Sequence, residues 1–396
     1  MYLVIPPQRV KQQLEQMDVH PVGVDLMAPK AEVLPLKILG VKSPAANIIK
    51  QEMLSLGGEC ATAKGAITCS IDSGHILLFG TRAQYARLAK KLQSMANWFG
   101  LGDVIADLQN YLKAQPLTTV LADGRVLTYE KMRVMGILNA TPDSFFAGSR
   151  VQNDSALLKK AETMLQDGAD ILDIGGESTR PGSDPVSPEE EVRRVVNAVR
   201  QIRQHFPKSV ISVDTYHART AEAALTSGAD IINYITAGEG DPKMLAVAAA
   251  FHAPVILMHM RGTPQTMTNP ENQVYKNVAE DVTIYLLERA REFIQKGFTK
   301  QQLILDPGLG FAKNKEQNLA LCRDLPLMTA HGMPVLLAGS RKGFIGKVLG
   351  DLPAEERLEG TMALSAAAFY GGAQLVRVHD VKENVRLLRM LEAIGK

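Results

Sequence analysis

The chain has 396 residues, of which 46% are hydrophobic and 22% are charged, and its formal net charge is +2 at pH 7. This balance is typical of globular proteins, and the length is sufficient for two domains. A net charge so close to zero gives no electrostatic indication that the partner is a nucleic acid or an acidic membrane surface.

The cysteines and the apolar runs indicate a cytoplasmic protein. Cys60, Cys69 and Cys322 include no Cys-x-x-Cys pair, which argues for reduced thiols and against a disulfide framework. The first residues, MYLVIPPQ, lack the basic start of a secretory signal. The longest apolar runs, such as 253–258, are too short to span a bilayer. We therefore predict contact with neither a membrane nor nucleic acid.

Residues 1–125 are predicted to form a small α/β or α+β domain of unknown role. Strand patterns at 66–72 and 75–81 flank an Asp-Ser-Gly turn, and the longest helical pattern covers 83–100. We interpret Cys60 and Cys69 as small core residues, because no histidine or third cysteine accompanies them. A hairpin with an Asp-Gly turn is predicted at 117–131, as a plug for the domain that follows.

Residues 126–396 are predicted to form a (β/α)8 TIM barrel. Eight strand–helix units over about 265 residues match the number and length of that fold. The helices include 187–202, whose start carries the capping pair Ser187 and Glu190. The predicted strands are 134–139, 170–176, 210–215, 230–236, 254–259, 303–308, 334–339 and 374–380.

A doubly wound parallel sheet is the alternative architecture, because its strands are equally apolar. Two observations favour the barrel. Eight strands suffice for closure, and nearly every predicted strand ends in a polar residue, whereas a doubly wound sheet concentrates its site at one or two switch points. No Gly-x-Gly-x-x-Gly follows any strand, which removes the simplest dinucleotide site.

The polar residues at the strand ends predict a pocket for a heterocycle with an anionic tail. A buried carboxylate is favourable where a ligand offers parallel N–H donors, as an amino-pyrimidinone edge does. Arginine binds phosphate in a bidentate manner. Any one of these residues alone has a structural explanation, such as a helix cap, but their convergence on one rim favours a site. The acids and amide are Asp214, Asp306 and Asn233, and the cationic groups are Arg180, Lys342, Arg377 and His379.

Six segments of the chain resemble, in the same order, the signature segments of the dihydropteroate synthases. They are ILNATPDSFF, DIGGESTRPG, SVDT, LDPGLGF, SRKGFIG and VRVHDV, and the resemblance covers roughly residues 130–396. It implies a (β/α)8 barrel and a transferase that condenses 6-hydroxymethyl-7,8-dihydropterin pyrophosphate with 4-aminobenzoate. The products are 7,8-dihydropteroate and pyrophosphate, with Mg2+ assistance, in folate biosynthesis. It also implies inhibition by sulfonamides and a homodimer formed through the last helices.

The resemblance assigns roles in the pterin pyrophosphate site. Asp306 accepts hydrogen bonds from the pterin 2-amino group and N3–H. Asp214 and Asn233 hold the remaining polar rim, and Lys342 donates to the O4/N5 side. Arg377 stacks on the pterin and reaches the phosphates. The other residues implied for this site are Met258, His379 and Asn139, the last as the protein contact to Mg2+.

The aminobenzoate slot and its lid are implied at Phe145, Thr179, Arg180, Pro181 and Phe311. The expected chemistry begins with departure of pyrophosphate, which leaves a cation delocalised into the dihydropterin ring. Asp214, Asp306, Lys342 and Arg377 are the expected catalytic residues, and the neutral arylamine then attacks without a Ser–His or Cys–His pair.

Two positions depart from the family pattern. Tyr234 stands where an Asp commonly follows the strand Asn, and Ala147 stands where many members carry an acid. Adjacent strand residues point to opposite faces, so Tyr234 is expected to face the helices.

Two alternative functions remain open. A methyltransferase that passes a methyl group from a reduced folate to a corrinoid protein would share the barrel but needs no aromatic lid. A non-catalytic pterin-binding protein is favoured only by Ala147 and Tyr234.

Overall fold

The computed structural model describes residues 3–113, 116–140, 150–176, 186–263 and 265–395. The chain divides into two compact units, Met1–Gln115 and Pro116–Lys396. The boundary therefore precedes the hairpin, which belongs to the second unit, whereas we predicted a boundary after residue 125. Within the described ranges, no helix is long and apolar enough to cross a lipid bilayer.

The first unit packs helices against a three-stranded antiparallel sheet with the order β1-β3-β2. Its core includes Ile49, Leu78 and Tyr85, all without exposed surface. The elements are α1 (Val10–Gln16), α2 (Pro21–Met27), β1 (Leu34–Lys42), α3 (Ser43–Ser55), β2 (Glu59–Thr62), β3 (Ser73–Gly80), α4 (Arg82–Leu92) and α5 (Leu101–Leu112).

Two predictions for the first unit are wrong. The segment 66–72 is a turn instead of the predicted strand. The strand that precedes β3 in the sequence is β2, at Glu59–Thr62. Cys69 within that turn has a φ of 51°, which an extended strand does not allow. Cys69 is also exposed, so it is not the core residue that we predicted, whereas Cys60 on β2 is buried as predicted.

The second unit is a nearly closed barrel of parallel strands, which confirms the predicted fold and excludes the doubly wound sheet. Its eight-stranded sheet has the order β11-β10-β9-β8-β7-β6-β13-β12, and a parallel bridge between Leu305 and Val335 joins the two ends. The strands, with the hairpin β4–β5 before them, are β4 (Thr118–Val120), β5 (Val126–Thr128), β6 (Arg133–Asn139), β7 (Ile171–Gly175), β8 (Val210–Asp214), β9 (Ile231–Tyr234), β10 (Val255–Met258), β11 (Leu303–Asp306), β12 (Leu336–Leu337) and β13 (Leu375–Val378).

Helices follow the barrel strands, and their apolar faces contribute to one large core with the outward-facing strand residues. Ser187 caps one of them by accepting a hydrogen bond from the Glu190 N–H, as the capping pattern predicts. The helices are α6 (Arg150–Gln166), α7 (Pro188–His205), α8 (Ala218–Thr226), α9 (Met244–Ala250), α10 (Val278–Gln295), α11 (Lys315–Arg323), α12 (Pro326–Thr329), α13 (Gly343–Val348), α14 (Leu358–Tyr370) and α15 (Val381–Gly395).

The hairpin β4–β5 closes the amino-terminal end of the barrel. Leu121 and Leu127 from the hairpin pack in one cluster with inward-facing strand residues such as Met135 and Ile256. This confirms the predicted plug. Because one end of the barrel is filled by apolar side chains, the opposite end, at the carboxyl termini of the strands, is left for polar chemistry.

Candidate active site

The sheet register places three of the predicted site residues at one level of the barrel. Asn139 is paired with Gly175, Gly175 with Asp214, and Asp214 with Asn233. These pairs run across four neighbouring strands from β6 to β9. Side chains far apart in the sequence therefore reach the same rim, because parallel strands end together.

Arg377 on β13 binds carboxylates from two strands on the other side of β6. Its Nε donates to Asp173 Oδ2 at 2.5 Å, and its Nη2 donates to Asp214 Oδ2 at 2.6 Å. Asn233 Nδ2 also donates to Asp173 Oδ2, at 3.2 Å. Sequence reasoning missed Asp173, which lies inside an apolar strand. A charged residue at an inward-facing position of such a strand is the signal that would have found it.

Burial and charge act in opposite directions on Asp214. Its side chain is only 10% exposed, and this burial raises the pKa of the carboxyl to about 6, while Arg377 lowers it. Asp214 Oδ1 is buried and has no hydrogen-bond partner among the described residues. A buried acceptor without a donor is costly, so this oxygen is suited to accept from a ligand N–H.

Asp306 ends β11 near Lys342 and Phe311, which are expected to contact the substrates. Its Oδ1 accepts a hydrogen bond from the Gly308 N–H at 2.7 Å, and burial raises its pKa. Lys342 Nζ lies 4.1 Å from the centroid of the Phe311 ring. Burial lowers the pKa of Lys342 to about 8, and the negative charge of Asp306 acts in the opposite direction.

Gly308 brings the loops after β10 and β11 into close contact. Its φ is +68°, and a Cβ at this position would lie 2.1 Å from the carbonyl oxygen of His259. Only glycine fits there, which explains the Asp-Pro-Gly sequence after the strand. The loop that carries Asp306 is thereby held against the neighbouring loop.

Met258 and Phe311 pack in one small cluster beside this loop, together with Met260 and Met267. Met258 is also the register partner of Asp306. Met258 and Phe311 therefore supply an apolar wall next to the charged groups of Asp306 and Lys342. A flat ring system requires such a wall on its faces and polar groups only around its edge.

His379 and Asn139 lie at the ends of neighbouring strands. His379 Nδ1 is 3.0 Å from Ser340 Oγ, and the His379 N–H donates to the same oxygen. Asn139 is half-buried. In the part of the chain that is described, no group of three or more His, Cys, Asp or Glu could hold a metal ion. An Asn oxygen fits Mg2+, which keeps several waters and is commonly bound by one or two protein oxygens together with substrate phosphates.

Tyr234 faces the helices, as its position next to Asn233 predicts. It is fully buried in the core outside the barrel, and its hydroxyl accepts a hydrogen bond from the Asp241 N–H at 2.8 Å. The departure from the family pattern at this position thus concerns packing. The expected slot and lid residues Phe145, Thr179, Arg180 and Pro181 lie outside the described residues, as does Ala147.

Comparison with known proteins identifies relatives of the barrel. Residues 135–379 match the family described as pterin binding enzymes. The dihydropteroate synthase of Bacillus subtilis is 45% identical over 265 residues, which cover 67% of this chain and 89% of that protein.

Two solved structures share the fold. A dihydropteroate synthase from Xanthomonas albilineans with 4-aminobenzoic acid has a TM-score of 0.65 and 37% identity, and the match covers 71% of this chain and 98% of that one. A Yersinia pestis dihydropteroate synthase with a sulfonamide drug complex has a TM-score of 0.64 and 38% identity over 70% and 98% of the two chains.

Proposed function

The chain belongs to the dihydropteroate synthase family of pterin-binding enzymes, and from this membership we propose how its own residues perform the reaction. The enzyme condenses 6-hydroxymethyl-7,8-dihydropterin pyrophosphate with 4-aminobenzoate to give 7,8-dihydropteroate and pyrophosphate. One observation carries the assignment of roles: Arg377 holds one oxygen of Asp214, and the other oxygen is buried with no partner among the residues that the structure describes.

The pterin is recognised through its hydrogen-bonding edge. Asp306 accepts from the 2-amino group and N3–H, which are parallel donors suited to a carboxylate. Asp214 accepts from a further N–H of the ring, and Asn233 completes the rim. Lys342 donates to the O4/N5 side as an ammonium. Met258 packs against the ring face.

Departure of the diphosphate is assisted by the positive charges at the rim. The C–O bond breaks, its electron pair leaves with the diphosphate oxygen, and a cation remains delocalised in the dihydropterin ring. Arg377 and His379 stabilise the leaving group, while Asp214 and Asp306 stabilise the ring cation. Asn139 would hold Mg2+, which when bound neutralises charge on the diphosphate.

The arylamine then attacks the exocyclic carbon as a neutral nucleophile, and its proton is released after the new C–N bond forms. We propose that Phe311, with Phe145, Thr179, Arg180 and Pro181, forms the slot that orients the aminobenzoate ring. No Ser–His or Cys–His pair is needed, because the preceding departure has already made the carbon electrophilic.

Pyrophosphate release from the pterin substrate tests this function. We expect release that depends on 4-aminobenzoate and that a sulfonamide inhibits competitively. Absence of release with both substrates and Mg2+ present would reject the function. Methyl transfer from a reduced folate to a corrinoid protein, measured in the same preparation, would favour the methyltransferase, and pterin binding without either reaction would favour a non-catalytic role.

We also propose that the enzyme is a cytoplasmic homodimer formed through its last helices. Exposed apolar side chains on α14 and α15 support a protein contact there: Tyr370 is 70% exposed, Met390 60% and Ile394 56%. Sedimentation of the full chain tests the dimer. A change of Met390 to Glu should shift it towards a monomer, and an unchanged dimer would place the interface elsewhere.

A further inference from the structure

A buried lysine lies beside the site and has no part in the reaction described above. Lys313, in the loop after β11, is 7% exposed. Its Nζ lies 2.8 Å from the carbonyl oxygen of Phe311, 3.0 Å from that of Gly308 and 3.3 Å from that of His259. It also lies 3.0 Å from His259 Nδ1. One side chain therefore joins two loops at the mouth of the barrel.

The partners of Lys313 require its ammonium form. Three of them are carbonyl oxygens, which only accept, whereas a neutral amine has only two N–H groups. Burial lowers the pKa of His259 to about 2, so its ring is neutral and Nδ1 accepts as well. Burial also lowers the pKa of Lys313, while Asp306 raises it. The three N–H groups of the ammonium make charge-assisted hydrogen bonds to these acceptors, which favours the cation.

This cation acts on Asp306 in two ways. Gly308 receives a hydrogen bond from Lys313 at its carbonyl and donates its own N–H to Asp306 Oδ1, so the lysine holds the residue that orients the carboxylate. Its charge also favours the ionised carboxylate. In the described part of the chain, the charged groups that act on Asp306 are Lys342, Arg377 and Lys313, which lower its pKa, whereas burial raises it.

Other charges and rings near Lys313 do not replace it. Arg261, a further cation, lies 4.0 Å from the centroid of the Tyr275 ring, and Tyr275 donates its hydroxyl to the carbonyl of Ala312 at 3.0 Å. Tyr285 packs edge-on against His259. These contacts brace the surrounding loops, whereas the contact with the Gly308 carbonyl is made by Lys313.

We propose that Lys313 is a positioning residue for pterin recognition, which fixes the Asp306 loop through backbone carbonyls and places a positive charge beside the Asp306 carboxylate. The proposal rests on the role of Asp306 in the proposed function. It goes further because Lys313, which does not contact the substrate, sets both the position and the ionisation of the Asp306 carboxylate, which does.

The test compares Lys313→Met and Lys313→Arg with the control Lys315→Met, all in the full chain. Lys315 is a matched control because it lies two positions away, with a side chain that is 40% exposed and forms an ion pair with Glu316 at the surface. Three quantities are measured: the pterin Kd by calorimetry, the KM for each substrate, and the pH of the acid limb of kcat/KM for the pterin substrate.

We expect Lys313→Met to raise the pterin Kd roughly 10- to 100-fold, because displacement of the Asp306 loop misplaces the acceptor. The KM for 4-aminobenzoate should change less, because Lys313 holds Phe311 through its backbone carbonyl and not through the ring that is proposed to contact that substrate. The acid limb should move to higher pH, because Asp306 loses a neighbouring cation. Lys313→Arg should keep the acid limb near that of the unaltered enzyme, whatever its effect on Kd, and Lys315→Met should change none of the three.

Two outcomes would overturn the proposal. One is a folded Lys313→Met variant with an unchanged pterin Kd and acid limb. The other is an equal loss for both substrates with no shift of the limb, which would indicate a purely structural role. Should Lys313→Met not fold, an acid limb displaced in Lys313→Arg would contradict the proposal. Failure of the unaltered enzyme to release pyrophosphate would instead reject the proposed function.

Discussion

Arg377 Nη2 donates to Asp214 Oδ2 at 2.6 Å, across 163 positions of sequence, while Asp214 Oδ1 remains buried without a partner in the described structure. Arg377 lies on β13 and Asp214 on β8, so the pair forms only when strands from both halves of the barrel come together. One contact thus serves the fold and the site: it compensates a buried charge and leaves an oriented acceptor for the ligand.

Replacement of Arg377 by Met should destabilise the barrel by about 3–5 kcal/mol, because it leaves buried carboxylates uncompensated. Asp173, one of its two partners, has no exposed side-chain surface. Urea denaturation measures the change in the free energy of unfolding. Arg323→Met is the control, since Arg323 is 74% exposed in its ion pair with Asp324 and its loss should cost less than about 1 kcal/mol. Equal effects of the two changes would contradict the argument.

The pH dependence of kcat/KM for the pterin substrate should be bell-shaped. Burial raises the pKa of Asp214 to about 6, and its carboxylate form is the acceptor, so activity should rise as the pH increases through about 6. Burial lowers the pKa of Lys342 to about 8, and its ammonium form is the donor, so activity should fall as the pH increases through about 8. Steady-state kinetics across both limbs measure this profile.

Variants assign the two limbs to their groups. Burial raises the pKa of Asp306 as well, so both carboxylates contribute to the acid limb. Asp214→Asn should remove the contribution of Asp214 near pH 6 and leave that of Asp306, at reduced activity, because the amide does not titrate. Lys342→Arg should remove the alkaline limb, because a guanidinium keeps its charge well above this range. A limb that stays in place in its own variant would belong to another group, such as the substrate.

The strands and the polar residues at their carboxyl ends were predictable because both are visible within short stretches of sequence. Strands of a parallel barrel are buried on both faces, so they read as continuous apolar runs, and the predicted run 210–215 becomes β8, Val210–Asp214. The plug hairpin was predictable from its Asp-Gly turn. The turn at 66–72 was not, since an apolar run of that length does not reveal the positive φ of Cys69.

The charge compensation inside the site was not predictable from local patterns. Asp173 stands inside an apolar run, and its partner Arg377 is 204 positions away. Lys313 reads as an ordinary loop lysine, and its burial depends on His259, which is 54 positions earlier in the chain. In both cases the informative contact exists only after the strands have assembled, so no sequence window contains it.

Asp306→Asn should weaken pterin binding by about 1.5–3 kcal/mol, the usual contribution of a hydrogen bond to a charged group. The amide oxygen can still accept from the Gly308 N–H, so the loop should keep its shape. The other oxygen is replaced by an NH2 group that opposes the donors of the pterin. Calorimetry measures the Kd. Asp324→Asn, which alters the carboxylate paired with Arg323 at the surface, is the control, and an equal Kd in both variants would remove Asp306 from the pterin site.

The repeated Gly-Ala-Asp sequence before β7 and before β9 has a structural explanation at the other end of the barrel. Asp170 accepts a hydrogen bond from the Val134 N–H at 2.9 Å, and its own N–H donates to the Val134 carbonyl. Asp230 makes the same reciprocal pair with Ile211, at 2.8 Å. Each aspartate thus satisfies a backbone group near the start of the preceding strand.

Asp230→Ala should therefore cost more stability than Asp170→Ala. Asp230 is 4% exposed and also binds Arg125 of the hairpin and Arg203 of α7. Its loss removes a carboxylate that both cations share and leaves the buried Ile211 N–H without its acceptor, at about 3–5 kcal/mol. Asp170 is 20% exposed and forms one ion pair with the described residues, to Arg133, which predicts about 1–3 kcal/mol. Urea denaturation measures both changes. Because these residues lie at the closed end of the barrel, the pterin Kd of the folded variants should stay unchanged. A larger loss of unfolding free energy for Asp170→Ala than for Asp230→Ala would contradict this ranking. It would show that the ion pairs of Asp230 with Arg125 and Arg203 contribute little to stability.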